Sequence, residues 1–352
     1  MTGKERCLAS LKGDRLERPP FYAFISSTAL VEHICREQLQ LANATELLAR
    51  AYSKCVDCTR RLLSEMFVIY EDGRQITDEY GFVFRQSRFT EWVEKRPWND
   101  SAGMAGVIRR QIEDMSNWQP GKPQDLSERY ELCENLSAGQ VMLMGRGYVG
   151  TAPGSYFRDG LEDWSYFLAD YPDLAQAWVD GRHQMNLKRI TAYADPQRCP
   201  VEHMDADVAG KNGLLISPRF LRDCGWYDKL AELVEAYHKT GVKIVFHSDG
   251  DIRPILNNLL ATGIDGLNPI DTSAGMSLAQ TRQAVGPDVL LVGGLDNKVL
   301  VTATPDDVRR YVKEQINIMQ GSPWWPGSST EELDDSMPLD NIMALLETIG
   351  VL

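Results

Sequence analysis

The chain has 352 residues, a length typical of one large α/β barrel or of two domains. Hydrophobic residues make up 43% of it and charged residues 25%, as in globular proteins with a full core. The net charge of −13 argues against a nucleic-acid partner, which would need a basic face.

No stretch reaches the roughly 18 to 20 uninterrupted apolar residues of a membrane span. The first 20 residues carry charges throughout and lack the apolar core of a signal peptide. The seven cysteines are odd in number and scattered, which favours reduced thiols. We therefore expect a cytoplasmic protein that has no membrane partner.

The first part of the chain predicts an irregular series of elements. A charged helix is expected before Pro19, a strand over 21–26, and mainly helix over 28–69. Within that helical region, "CVDC" places Cys55 and Cys58 on one helix face, which favours packing over a redox or zinc site. The alternating, aromatic segment 75–87 predicts a β-hairpin, so that about 70–138 forms an excursion from the main body.

From about residue 139 the pattern becomes regular. Predicted strands at 140–147, 201–210, 242–250, 264–270 and 288–296 alternate with predicted helices at 160–194, 222–241, 251–263, 277–286 and 304–321. Such alternation indicates βα units and a parallel sheet. The fold class that fits best is α/β, a single (β/α)₈ barrel over 1–352, and a doubly wound sheet is second.

The segment "GRGYVG", residues Gly145 to Gly150, matches the G-x-G-x-x-G pattern of dinucleotide-binding folds and follows a predicted strand. That function requires a helix to begin at the glycines, so that its N-terminus meets the pyrophosphate. Pro153 and Gly154 follow at once instead, which favours a loop.

The stretch "FHSDGD" combines a histidine and an aspartate at the end of a buried strand. Residues i and i+2 of a strand point to the same face, so His247 and Asp249 are expected to converge there. Gly250 is expected to end the strand, at the end where barrels carry their active sites. The pair suits a zinc ion or general acid–base catalysis, and the alternative is a histidine bonded to a structural carboxylate.

Polar residues also follow the other predicted strands. Asp205 and Asp207, Asn268 and Asp296 come at consecutive strand ends, where burial without a function would cost desolvation. We therefore predict a polar pocket in which Asp207, Asn268 and Asp296 bind substrate. Tyr148 and Trp164 are candidate apolar walls, against the alternative that they serve packing alone.

The second half of the chain, from "GLLISPRFLRDCGWYDKLAELVEAYHKTG" through "VKIVFHSDG" to "VLLVGGLD", resembles the uroporphyrinogen decarboxylase superfamily. The N-terminal "KERCLASLKGDRLERPP" and the C-terminal "SMPLDNIMALLETIG" resemble the ends of the same family. The resemblance covers most of the chain and is weakest over roughly 85–138. It implies a single (β/α)₈ barrel.

True decarboxylases of this superfamily use no metal and carry an N-terminal arginine-rich motif for the substrate carboxylates. The matching segment here, "FYAFISSTALVEHICRE", lacks those arginines. The chain is more similar to the corrinoid-dependent methyltransferase branch, whose zinc motif is H-x-C-G with a second cysteine in a late loop. His247 matches that histidine, Asp249 replaces the first cysteine, and Glu331 or Glu332 falls near the second.

This resemblance implies zinc held by His247, Asp249 and one of Glu331 and Glu332, with His247 and Asp249 as catalytic residues. Oxygen ligands make a harder site and a stronger Lewis acid than two thiolates do. We therefore predict a methyltransferase that moves a methyl group between a small O- or N-methylated compound and the cobalamin of a corrinoid-binding protein. The alternatives are a metal-free lyase and a non-catalytic ligand-binding barrel, and a homodimer is compatible with each.

Overall fold

A computed structural model describes residues 1–60, 69–121, 131–146, 151–154 and 156–352. Within them the strands are β1 (Phe24–Ser26), β2 (Cys58–Thr59), β3 (Gln75–Thr77), β4 (Val83–Ser87), β5 (Thr90–Lys95), β6 (Met142–Leu143), β7 (Gly145–Arg146), β8 (Val201–Asp205), β9 (Ala209–Gly210), β10 (Gly213–Leu214), β11 (Lys243–His247), β12 (Gly266–Asn268), β13 (Leu290–Val292), β14 (Trp324–Trp325) and β15 (Glu332–Asp334). The helices are Gly3–Leu11, Thr28–Cys35, Ala44–Cys55, Ser101–Asn117, Tyr156–Asp159, Leu161–Asp170, Pro172–Tyr193, Pro218–Asp223, Trp226–Thr240, Leu256–Ala261, Leu278–Val285, Asn297–Thr302, Pro305–Ile318 and Leu339–Ile349. Residues 131–136 are also helical, and 3₁₀ turns cover Arg253–Ile255 and Thr272–Ala274.

Parallel strands form a closed central sheet. Six of them are hydrogen bonded in the order β14, β13, β12, β11, β8, β7, and β6 continues β7 and pairs with β2. The segment before β1 closes the ring, because the Tyr22 N–H donates to the Pro326 carbonyl (2.8 Å) and the Cys58 N–H to the Phe21 carbonyl (3.1 Å). Counted over the described residues, the ring has eight strand positions, which confirms the predicted (β/α)₈ barrel.

Alternation along each strand separates two cores. On β11, Ile244 and Phe246 face the surrounding helices, whereas Val245 belongs to the cluster that fills the barrel. That inner cluster also contains the large side chains of Tyr22 and Trp325. It occupies the lower and middle barrel, and polar side chains replace it where the strands end.

The segment of the chain between the barrel strands β2 and β6 contains a separate antiparallel sheet. Strands β3 and β4 form the hairpin predicted over 75–87, and β5 pairs with β4 as a third strand beyond the predicted range. The helix Ser101–Asn117 follows and is capped by Asp100, whose side chain accepts the Gly103 N–H (2.7 Å).

Over the described part of the chain, no helix combines the length and apolar character needed to cross a membrane.

The expectation that Cys55 and Cys58 share a helix face is wrong. The helix ends at Cys55, Val56 is extended, and Cys58 lies on β2 inside the barrel. The change of direction is set by Asp57, a buried carboxylate paired with Arg6 and Arg18. Burial raises the pKa of Cys55 to about 12, so its thiol has little thiolate character at neutral pH.

The first glycine of "GRGYVG", Gly145, is required by packing. The rest of the motif from Gly147 to Gly150, which includes Tyr148, lies outside the described residues. A Cβ on Gly145 would lie 1.9 Å from Oε2 of Glu202, so this strand position requires glycine. The described residues that follow, 151–154, are not helical. Gly145 thus gives room to a buried carboxyl group on the neighbouring strand.

Glu202 makes the stability of this protein depend on pH. Burial raises its pKa to about 8, against a smaller lowering by the hydrogen bond with Tyr237. The folded state binds the proton of the Glu202 carboxyl group more tightly than the unfolded chain does. Below about pH 4 the group is protonated in both states and does not lower the free energy of unfolding. The cost grows as the pH rises through 8, towards on the order of 5 kcal/mol.

We expect the Glu202→Gln variant to equal the wild type in unfolding free energy near pH 4 and to exceed it near pH 9. Urea unfolding at both pH values measures this. Glu235→Gln, at an exposed helix position, is the matched control and should follow the wild type. If the unfolding free energies of Glu202→Gln and the wild type changed with pH in the same way, Glu202 would be ionised in the folded protein, and the expectation would be wrong.

Candidate active site at the mouth of the barrel

Strand register brings the polar residues to one place. Asp205 of β8 pairs with His247 of β11, and His247 pairs with Asn268 of β12. Each is the last residue of its strand, at the carboxyl end of the barrel. The loop before β15 adds Glu331 to the same place, because the Phe24 N–H donates to the Glu331 carbonyl (2.9 Å).

His247 is buried and has partners on both ring nitrogens. Nδ1 lies 2.7 Å from Oδ1 of Asn268 and 3.3 Å from Oε1 of Glu331. Nε2 lies 3.3 Å from Oδ1 of Asp207. The imidazole therefore contacts Asn268 and Glu331 on its Nδ1 side and the carboxylate of Asp207 on its Nε2 side.

His203 is a functional candidate that the sequence analysis missed. Its Nε2 lies 2.9 Å from Oδ1 of Asn268 and 3.2 Å from Oε1 of Glu331, and its ring centre is 4.7 Å from that of His247. The period-2 pattern could have found it, because His203 lies two residues before Asp205 on the inward face of β8.

The structure separates the two adjacent glutamates. Glu331 is 1% exposed; its Oε1 accepts the Tyr22 hydroxyl (2.9 Å) and its Oε2 forms an ion pair with Nε of Arg60 (2.8 Å). Glu332, on β15, points elsewhere and accepts a hydrogen bond from the Ser26 hydroxyl (3.0 Å). Of the two, Glu331 is the one that joins the histidines.

Asp249 lies beyond the strand rather than on it, because β11 ends at His247. Its side chain is exposed at the mouth, and its backbone N–H donates to Oδ1 of Asp207 (2.9 Å). Gly250 follows at a φ of 86°, where a Cβ would meet the backbone of Gly210 at 2.3 Å. This close approach turns the chain after Asp249.

The remaining predicted residues have other surroundings. Asp296 caps the helix Asn297–Thr302, since its carboxylate accepts the Lys298 N–H (2.9 Å). Trp164 is 1% exposed and packs against Phe167 and Trp178 in the outer core. Substrate binding by Asp207, Asn268 and Asp296 stays a prediction.

The charges in this cluster are unevenly distributed. Burial would lower the pKa of His247, but the negative charges of Glu331 and Asp207 raise it well above its ordinary value. Burial lowers the pKa of His203, and the hydrogen bond that its Nε2–H donates to Glu331 only partly opposes this. Burial would raise the pKa of Glu331, yet Arg60 and His247 hold it well below its ordinary value. The metal-free cluster thus contains an ionised carboxylate, one charged imidazole and one neutral imidazole.

Asp249 differs from the other carboxylates. Loss of hydration next to the surrounding protein raises the pKa of Asp249 to about 6; the charge of His247 opposes this rise, and the charge of Asp207 adds to it. Asp207, by contrast, has a lowered pKa: burial would raise it, but the hydrogen bond with His247 and the charge of that imidazole outweigh burial. Asp207 and Glu331 also adopt left-handed φ angles of 42° and 64°, a backbone conformation that non-glycine residues keep where the surroundings enforce it.

Two groups of side chains in the described residues offer donor atoms that lie within 4.8 Å of one another. One is His203, His247 and Glu331, and the other is Asp205, Asp207 and His247. Two imidazole nitrogens and a carboxylate oxygen are a donor set that zinc accepts. The first group therefore fits a zinc ion by its chemistry, and Asp249 belongs to neither group.

The Arg60–Glu331 ion pair should contribute strongly to stability, because removal of one partner leaves a buried charge. We expect Arg60→Met to cost about 3–5 kcal/mol in the free energy of unfolding, and Arg60→Met combined with Glu331→Gln to cost less. Arg309→Met, which breaks a surface pair with Glu347, is the control and should cost under about 1 kcal/mol. Urea unfolding measures all three, and equal costs for Arg60→Met and Arg309→Met would contradict the expectation.

One solved structure with a similar fold agrees with this architecture. A methyltransferase from Methanosarcina mazei has a similar structure, with a TM-score of 0.64, 18% sequence identity, and coverage of 99% of this chain and 98% of that one. At that identity the likeness shows the fold alone. A xylose isomerase-like TIM barrel protein from Mycobacterium smegmatis, in complex with magnesium, aligns over 72% of this chain and 91% of its own, with 10% identity and a TM-score of 0.34.

The family comparison extends over more than half of the chain. None of the curated proteins compared with the sequence matches it. The family model described as uroporphyrinogen decarboxylase (URO-D) matches residues 157–350, a range that contains β8, β11, β12 and Glu331. The chain therefore belongs to the uroporphyrinogen decarboxylase family.

Proposed function

We propose that this protein is a zinc-dependent methyltransferase that moves a methyl group between a small O- or N-methylated compound and the cobalamin of a corrinoid-binding protein. The observation that carries the proposal is the cluster of His203, His247 and Glu331 at the carboxyl end of the barrel. The structural likeness to a protein named a methyltransferase supports the same class of reaction.

The donor set favours polarisation of a methylated oxygen or nitrogen compound over activation of a thiol as the methyl acceptor. A zinc ion held by imidazole and carboxylate would act as a Lewis acid towards the heteroatom that carries the methyl group. Asp207 would keep His247 in place from its Nε2 side, and Arg60 would keep Glu331 ionised. No thiolate occupies the positions of His247, Asp249 and Glu331, so the site is harder than one with two sulfur ligands.

The overall reaction is balanced when one proton is supplied to the heteroatom that loses the methyl group. The methyl carbon would leave the heteroatom, which would retain the bonding electron pair, and the cob(I)alamin of the partner protein would accept it as methylcob(III)alamin. The heteroatom would then need a proton, and we propose that the exposed carboxyl group of Asp249 supplies it. The reverse direction would return the methyl group by the same steps.

A cobalamin assay tests the proposed reaction. Zinc-loaded protein is incubated with chemically reduced cob(I)alamin and with methoxylated aromatic compounds, methyl ethers and methylamines in turn, and methylcob(III)alamin is followed by its visible absorption. We expect methylation with at least one donor and loss of the activity after treatment with a zinc chelator. No methylation with any donor, with either free or protein-bound cobalamin, would contradict the proposal; carbon dioxide release from a carboxylated substrate would favour a lyase.

Adjacent glutamates provide a matched pair of variants. We expect Glu331→Gln to lower zinc content and to reduce methyl transfer by at least about 100-fold, because the carboxylate contacts both imidazoles. Glu332→Gln should retain both, because Glu332 bonds to Ser26 outside the cluster. Zinc content by elemental analysis and the initial rate are the measurements, and equal losses in both variants would contradict this assignment.

A further inference from the structure

The histidine–aspartate spacing of "FHSDGD" predicts Asp249 as a zinc ligand, but the folded chain presents a different group. The Asp249 side chain is exposed beyond the end of β11, whereas His203 is fully buried beside His247. In the described residues, the donor atoms of His203, His247 and Glu331 lie within 4.8 Å of one another, and Asp249 takes part in no such group.

We infer that His203 on β8, rather than Asp249, is the third protein ligand of the metal ion, an inference that rests on the proposed function. The distances support it. Oε1 of Glu331 lies 3.2 Å from Nε2 of His203 and 3.3 Å from Nδ1 of His247. Ligand atoms around tetrahedral zinc, at bonds of about 2.0–2.1 Å, are about 3.3 Å apart. The carboxylate oxygen already has that separation from both nitrogens.

The groups around these donors hold them in the orientation that a metal site needs. Asp207 lies 3.3 Å from Nε2 of His247, so Nδ1 is the nitrogen that faces the cluster. Arg60 engages Oε2 of Glu331, which leaves Oε1 for the cluster. A carboxylate behind a ligating histidine is the arrangement that orients metal-bound imidazoles in proteins.

Asn268 completes the inner group. Its Oδ1 lies 2.7 Å from Nδ1 of His247 and 2.9 Å from Nε2 of His203. Its amide donates to the Val292 carbonyl (3.3 Å), which fixes the oxygen towards the imidazoles. This neutral oxygen accepts hydrogen bonds from the two rings in the metal-free protein and so holds both imidazoles beside Glu331.

Asp249 has a different task in this arrangement. Its backbone N–H donates to Asp207, and Asp207 in turn contacts His247. The loop therefore positions His247 through its main chain, which a change of the Asp249 side chain leaves intact. Its exposed carboxyl group stays free for the proton transfer proposed above.

X-ray absorption spectroscopy of the zinc-loaded wild-type protein tests the inference without any substitution. The outer-shell scattering of imidazole rings counts the histidine ligands. We expect two imidazoles with oxygen in the remaining positions. One imidazole would overturn the inference, since it would leave His247 with Asp249, or with Asp205 and Asp207, as the metal-binding group.

Variants provide the second measurement, with the zinc dissociation constant determined by competition with a coloured chelator. We expect His203→Gln to weaken zinc binding by at least about 100-fold and Asp249→Asn to change it by less than about 3-fold. His33→Gln, at an exposed histidine, is the control. Circular dichroism and the unfolding midpoint establish that each variant is folded.

The outcomes separate this inference from the proposed function. Zinc binding lost in Asp249→Asn and retained in His203→Gln would overturn the ligand assignment and leave a zinc methyltransferase standing. Absence of zinc binding by the wild type would overturn both. Two imidazoles together with no methyl transfer in the cobalamin assay would support the ligand set and overturn the proposed function.

Discussion

The buried carboxylate of Glu331 is the interaction on which the rest of the site depends. It accepts the Tyr22 hydroxyl, pairs with Arg60 and lies beside His203 and His247. These partners come from separate strand positions of the barrel, so one side chain ties the ring together at its open end. An ionised group at this depth is tolerated only where several donors and cations surround it. Closure of the barrel provides them.

The same carboxylate sets the chemical character of the site. Tyr22 lies where the first segment closes the ring, between Pro326 and Cys58, and its hydroxyl reaches Glu331 from below. Apolar residues fill the barrel beneath this level, so the polar cluster is limited to the strand ends. The buried side chains of His203, His247 and Glu331 keep their charges strongly interacting, because little water screens them.

Much of the fold could be predicted from local pattern. The regular alternation of strands and helices after residue 139 indicated βα units, and inward and outward residues on β11 follow the period-2 rule. The pattern failed at Cys55 and Cys58, where a buried ion pair of Asp57 with Arg6 and Arg18 ends the helix. Those arginines are about 40 to 50 residues distant in sequence, and periodicity within a short window contains no information about them.

The candidate site divides in the same way. The sequence by itself determined that His247 lies at a strand end, that carboxylates replace the cysteines of related motifs, and that Asp205, Asp207 and Asn268 share that end of the barrel. Only the tertiary structure decided that Glu331 rather than Glu332 faces the histidines, that Asp249 lies beyond its strand, and that His203 belongs to the cluster. The physical reason is that strand alternation is local, whereas the meeting of side chains depends on register between strands and on the left-handed turn at Glu331, which packing across the closed barrel enforces.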